Sequence, residues 1–154
     1  MENHRVRGFA EFTGTFALVF AGTGAIIVND LSEGAITHPG ISLTFGLVIM
    51  VMIYALGDLS GAHFNPAVTI GFWSMGGLKA RFVPTYLLAQ GAGGLAASML
   101  LKVLLPHHST MGATLPSITS ASAFAFETIL TFLLMVVIIA VSSNREKGLV
   151  AGAA

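Results

Sequence analysis

Three polar residues stand where apolar neighbours would be expected. Asn65 opens the tripeptide Asn65-Pro66-Ala67 within SGAHFNPAVT, Ser60 to Thr69, and Glu11 and Glu127 lie inside long apolar runs. Asparagine is a strong N-cap: its side-chain oxygen accepts a backbone N–H, leaving two amide donors to point elsewhere. Proline suits the first helical position, where its missing N–H would have had no partner. From Ala67 the run AVTIGFWSM continues to Gly76-Gly77, so a half-helix is expected over Asn65 to Met75. At roughly 1.5 Å per residue it covers about 15 Å, half of a hydrocarbon core of about 30 Å. Such a segment, flanked by spans, dips in and returns, and irregular backbone at that depth must line a cavity or be buried in protein.

The donors left at Asn65 have a specific use. A water that accepts from them has its lone pair occupied and is oriented, which hinders relay of a proton along a file of waters. The half-helix N-terminus adds roughly half a positive elementary charge, repelling protons and cations. Glu11 and Glu127 admit two roles, because intramembrane carboxylates are costly and functional by default. They accept hydrogen bonds from unpaired N–H groups of re-entrant backbone, or they carry protons in a coupled secondary transporter. No intramembrane Lys or Arg accompanies them as a relay partner. His63 is expected to brace its loop. The adjacent His107-His108 lacks a third-ligand pattern, so no metal is expected, and no cofactor is implied.

Composition and charge then frame the elements that position these groups. The chain has 154 residues, 55% hydrophobic and 9% charged, with mean hydropathy +0.85, against roughly 25% charged in a soluble domain. It belongs in a lipid bilayer. Net charge is zero, with no basic run or basic helix face, so nucleic acid is not an evident partner. Four runs are long enough to span: Gly8 to Val28, Gly40 to Leu56, Pro84 to Leu105 and Ala121 to Val141. The first is read as a retained span rather than a signal peptide, since it carries Glu11 and lacks an A-x-A-like site. Polar loops are expected at Asn29 to Pro39 and Pro106 to Ser120. Gly14, Gly22, Gly24, Gly91, Gly93 and Gly94 supply the small surfaces that let membrane helices approach closely.

Basic residues orient the spans. Arg5, Arg7, Lys79, Arg81, Arg145 and Lys147 fall on one side and only Lys102 on the other, provided the half-helix does not cross. By the positive-inside rule the N-terminus is cytoplasmic. FAEFTGTF at Phe9 to Phe16 matches AFETILTF at Ala125 to Phe132, aligning Glu11 with Glu127, Thr15 with Thr131 and Phe16 with Phe132. The fourth span therefore reads as the first of a second copy, inverted in the membrane because three spans separate the two starts. The tail Gly148 to Ala154 reads as the beginning of a fifth span.

The order of span, span, SGAHFNPAVT half-helix, span and repeated E-x-x-x-T-F span resembles the aquaporin or major intrinsic protein family over essentially the whole chain. GISLTFGLVIMVMIYALGDLSGAHFNPAVTIGF looks closest to bacterial and plant nodulin-like members. The resemblance implies an all-α, inverted-repeat helical bundle. Residues 1–154 would form one transmembrane domain, with a first repeat at about 7–105 and the start of a second at about 121–154. It implies a passive, non-enzymatic channel for water or small neutral solutes such as glycerol, in the plasma membrane or cell inner membrane, usually as a homotetramer. It places Asn65, Pro66 and Ala67 at the pore with the carbonyls of Gly61, Ala62 and His63. It sets Phe45 at an outer constriction and makes Glu11 and Glu127 structural braces. Family members carry six spans and two half-helices, so four spans with one half-helix are not expected to enclose a pore alone. The alternatives are a proton-coupled transporter using Glu11 and Glu127, or a non-conducting membrane fragment.

The charge asymmetry makes a topological prediction. Single cysteines introduced into this cysteine-free chain at Lys79 and Ser143 should label from the cytoplasmic side, and those at His38 and His108 from the other. Labelling of positions 79 and 38 from the same side would contradict a re-entrant half-helix.

Overall fold

The computed structural model describes residues 3–151, with side chains through Ser142. The described chain is all-helical. Five α-helices follow one another: α1 (His4–Leu31), α2 (Thr37–Ser60), α3 (Pro66–Ser74), α4 (Val83–Leu104) and α5 (Ser120–Ala151), with a 3₁₀ turn at Ala80–Phe82 before α4. Four stretches are long and apolar enough to cross a membrane: His4–Leu31, Thr37–Ser60, Ala80–Leu104 and Ser120–Ser142. The chain divides at Ala113 into two compact units. The first contains α1 to α4 and the second α5.

The helices outrun the apolar stretches that announce them, because caps and first turns accept polar residues. Asn3 caps α1 by accepting the Arg5 N–H at 2.9 Å. Pro39, expected in a loop, falls in the first turn of α2, where proline costs no intrahelical bond. Pro84 sits likewise in the first turn of α4. At its other end α2 runs four residues past Leu56 and stops at Gly61, whose left-handed φ of 88° lets its N–H return to the Gly57 carbonyl. α3 is the expected half-helix with its ends trimmed: Asn65 is the N-cap and Met75 the C-cap. In the second unit α5 continues unbroken through Gly148 to Ala151, so no new element begins at Gly148; residues 152–154 of that tail lie outside the described residues.

Packing within the first unit is set by glycines that receive a neighbour. α1 and α4 meet backbone to backbone at Gly93, where an added Cβ would lie 2.4 Å from the Phe12 carbonyl oxygen. The ring of Phe45 on α2 fills the notch at Gly22 on α1, and the Phe64 ring fills that at Gly14; a Cβ at either glycine would be 2.1 Å from the ring. Gly24 and Gly94 make ordinary contacts, and Gly91 faces open space. Apolar residues gather where α3 turns back to α4, with Leu78, Phe82 and Tyr86 buried against Phe72 and Val83.

Two glycines on one helix therefore predict opposite outcomes. Gly93→Ala must push α1 from α4 and should destabilise the protein by about 1–3 kcal/mol. Gly91→Ala gains helix propensity at no steric cost and should stabilise by up to about 1 kcal/mol. Thermal unfolding in detergent, followed by circular dichroism, should rank Gly91→Ala above the parent and Gly93→Ala below it.

Candidate functional site: a re-entrant loop held on a buried carboxylate

The segment between α2 and α3 leaves regular structure for only five residues, and three of them have left-handed backbone: Gly61 at φ 88°, Ala62 at 53° and Phe64 at 49°. For residues with a Cβ this region is unfavourable. Its use is to turn successive N–H groups toward one point, the concave arrangement that binds an anion. The anion is Glu11, fully buried on α1. Its Oε1 accepts the Ser60 hydroxyl at 2.6 Å and the His63 N–H at 3.0 Å. Its Oε2 accepts the Phe64 N–H at 2.7 Å and the Gln90 Nε2 at 2.7 Å. Four donors from α2, the loop and α4 thus converge on one carboxylate of α1.

A second knot ties the loop to the half-helix. Thr69 Oγ1 donates to the Asn65 carbonyl at 3.1 Å and accepts Gln90 Nε2 at 2.9 Å. It lies 3.1 Å from His63 Nδ1. A hydroxyl has one proton: when it goes to the Asn65 carbonyl, His63 Nδ1 is the donor of the pair, and in the other tautomer His63 Nδ1 takes the proton instead. The His63 ring is clamped between Phe72 and Tyr86, each 4.9 Å away between centroids. His63, Thr69 and Gln90 are all buried.

Asn65 is half-buried at the tip. Its Oδ1 accepts the Ala67 N–H at 2.8 Å, which fixes the amide orientation, because a backbone N–H can meet only the oxygen. Its Nδ2 therefore points away from the helix start, and no hydrogen bond among the described residues uses it. The Asn65 carbonyl accepts the Thr69 N–H at 3.0 Å. Pro66 occupies the first helical position, and Pro66 and Ala67 are exposed. Among the described residues no hydrogen bond ends on the carbonyl oxygens of Gly61, Ala62 or His63.

Of the residues singled out from sequence, Gly61, Ala62, His63, Asn65, Pro66, Ala67 and Glu11 come together here. Phe45 lies apart, half-buried on α2 in the notch of Gly22. Glu127 is an exposed residue of α5, in the second unit. His108 lies away from this loop, its Nε2 3.0 Å from Asp30 Oδ2. Sequence reasoning missed Ser60, Phe64, Thr69, Tyr86 and Gln90. The signal for Gln90 was present: it is the one side-chain amide inside the α4 span, and such polar groups inside a span need a partner.

With this geometry in view, comparison with known proteins is direct. The family model described as major intrinsic protein matches residues 3–154. This chain belongs to the major intrinsic protein family. With four helices long and apolar enough to span, this family member is an integral, multi-pass membrane protein. It is similar to aquaporin NIP1-4 of Oryza sativa subsp. japonica, at 45% identity over 89% of this chain and 50% of that protein. It is also similar to nodulin-26 of Glycine max, at 44% identity over 94% of this chain and 54% of that protein. The chain thus spans about half the length of the curated relatives it matches. Among solved structures it resembles the aquaglyceroporin from Plasmodium falciparum, with a TM-score of 0.59 and 31% identity, covering 66% of this chain and 42% of that one.

The four-donor geometry predicts that Glu11→Gln is not conservative. Either orientation of the amide sets an NH2 against a loop backbone N–H, that of His63 or of Phe64, and each orphaned buried donor costs about 1–3 kcal/mol. Detergent-solubilised Glu11→Gln should melt well below the parent. An unchanged melting temperature would contradict the arrangement.

Proposed function

We propose that this chain supplies the first repeat of a passive transmembrane channel for water or small neutral solutes such as glycerol. The observation that carries the reading is Asn65: its oxygen is taken by the Ala67 N–H, so its NH2 is directed away from the half-helix as a donor pair. It stands at the N-terminus of a half-helix too short to span. A solute oxygen passing this point accepts from Asn65, while the helix terminus disfavours protons and cations. The carbonyls of Gly61, Ala62 and His63 offer the complementary acceptors along the approach to Asn65. No bond to the solute is made or broken, so the process is diffusion down a gradient and not catalysis.

Glu11 is assigned as a brace rather than a proton carrier. Three of its four partners are N–H groups, which only donate. The fourth, Ser60 Oγ, already accepts the Ala62 N–H at 3.0 Å. A proton on Glu11 would have to go to Ser60 Oγ, reversing that bond and freeing the Ser60 proton, or displace one of the N–H groups. By its alignment with Glu11 in the internal repeat, Glu127 has the same task toward the re-entrant loop of a second repeat. Phe45, held in the Gly22 notch, is assigned to the outer constriction, where its bulk favours narrow solutes. The assembled channel is read as a homotetramer in the plasma membrane or cell inner membrane with a cytoplasmic N-terminus, the last resting on the basic asymmetry.

The test uses a two-repeat protein carrying this sequence as its first repeat. Asn65→Asp replaces both amide donors with an acceptor and a charge. Stopped-flow shrinkage and ion-leak assays on proteoliposomes should then show weakened exclusion of cations alongside residual water flux. Equal cation exclusion in parent and variant would contradict the role of Asn65. Flux that follows a pH gradient rather than an osmotic one would point to coupled transport instead.

A further inference from the structure

We propose that Arg7 and Tyr86 are positioning residues that fix the point at which the re-entrant loop leaves α2. The inference rests on the reading of Gly61 to Ser74 as the pore segment and adds the device that locates its start. Ser60 is the last residue of α2, and its carbonyl is one of the four at a helix end that lack an intrahelical partner. The Tyr86 hydroxyl on α4 donates to that carbonyl. Having given its one proton to Ser60, the hydroxyl can only accept from anything else, and Arg7 Nη1 on α1 donates to it at 2.8 Å. The direction of the chain is therefore fixed: guanidinium to phenol to carbonyl. Because the guanidinium only donates, Tyr86 cannot turn its proton toward Arg7 and release Ser60.

Both members are themselves held. Tyr86 is fully buried, its ring against His63. The Arg7 guanidinium lies 4.8 Å from the centre of the Phe82 ring, and Phe82 is 1% exposed. His4 lies against the same ring, its centroid 4.5 Å away, with His4 Nδ1 2.8 Å from Thr85 Oγ1. The N-terminal turn of α1 is thus docked on the start of α4, and Arg7 reaches inward from that dock.

The consequence lies at Ser60. Its hydroxyl joins Glu11 and the Ala62 N–H, while its carbonyl joins Tyr86, so the three long helices α1, α2 and α4 meet at one residue. Glu11 holds the middle of the loop and Asn65 caps its end. The Arg7–Tyr86 pair holds its beginning. Without that hold the Ser60 carbonyl loses its fixed partner; as Ser60 moves to find another, the bonds of its hydroxyl to Glu11 and the Ala62 N–H are drawn with it, and the half-helix changes its depth. Neither residue touches solute; both act through Ser60.

Trp73 is the only tryptophan of the chain and stands on α3, 47% exposed, so its fluorescence reports the half-helix without any flux. The experiment uses the 154-residue chain in liposomes, with acrylamide as the aqueous quencher and brominated acyl chains as the membrane quencher. In the parent, Trp73 should be quenched by the brominated chains and shielded from acrylamide. A buried hydrogen bond shifts an equilibrium by a factor of about five, so Tyr86→Phe and Arg7→Met, which has no donor, should each raise acrylamide quenching about two-fold or more. Arg7→Lys, which keeps a donor, should restore the parent value. The double variant should match the stronger single one, since both cut the same chain. Tyr54→Phe, at an exposed position, should change nothing.

Parent-like quenching in Arg7→Met, at unchanged helicity, would overturn the inference, and so would additive effects in the double variant. Should Tyr86→Phe fail to fold, the half-buried Arg7 pair of variants decides the question alone. Failure of the pore-segment reading has a separate signature: Trp73 of the parent would then escape the brominated chains, which overturns both. Quenching of the parent that is identical in every variant overturns only the positioning role.

Discussion

A peptide that enters a membrane without forming a helix must find acceptors for its N–H groups, and here a single buried carboxylate supplies them. Glu11 receives the N–H groups of two consecutive loop residues, His63 and Phe64, together with the hydroxyl that ends α2 and the amide of Gln90 on α4. In an apolar medium an unsatisfied backbone donor costs several kcal/mol. The placement of the other elements follows from meeting that demand. α1 must present its Glu11 face to the loop, and Gly14 on the same helix must be small so that the Phe64 ring can occupy the space a Cβ would take. α4 must approach closely enough at Gly93 for Gln90 to reach both the carboxylate and Thr69.

The same bonds explain how a strained backbone is held. Ala62 and Phe64 sit at positive φ, at about 1–3 kcal/mol each. Hydrogen bonds to a charged acceptor contribute about 1.5–3 kcal/mol apiece, the same order of size, and the ring of Phe64 adds its burial at 2% exposure. Strain therefore persists because partners on three helices determine the conformation together. In the proposed channel it has a use, since this backbone path brings Asn65 to the start of α3 with its oxygen already engaged and its NH2 directed elsewhere.

Local chemistry was legible in the sequence, and convergence was not. Asn65-Pro66-Ala67 announced a capped half-helix because capping and the N1 preference of proline are short-range, and the four spans followed from apolar length. The helix ends ran further than hydropathy indicated, since Pro39 and Pro84 sit in first turns where they are tolerated. Gln90 and Tyr86 were not singled out because their partners, Glu11, Thr69, Ser60 and Arg7, are distant in the chain and their side chains alone carry no instruction about direction. The glycines illustrate the same limit. Gly91 and Gly93 are indistinguishable in sequence, yet one faces open space and the other a carbonyl of α1.

The claim on which the rest depends is that Glu11 holds the loop as firmly as a helix holds its own backbone. Amide hydrogen exchange of the chain in liposomes, resolved at His63 and Phe64, measures this directly. The geometry predicts protection comparable to the buried interior of α4, such as Ala97, although neither residue belongs to a helix. Exchange as fast as that of Thr110 and Gly112 in the loop after α4 would contradict it.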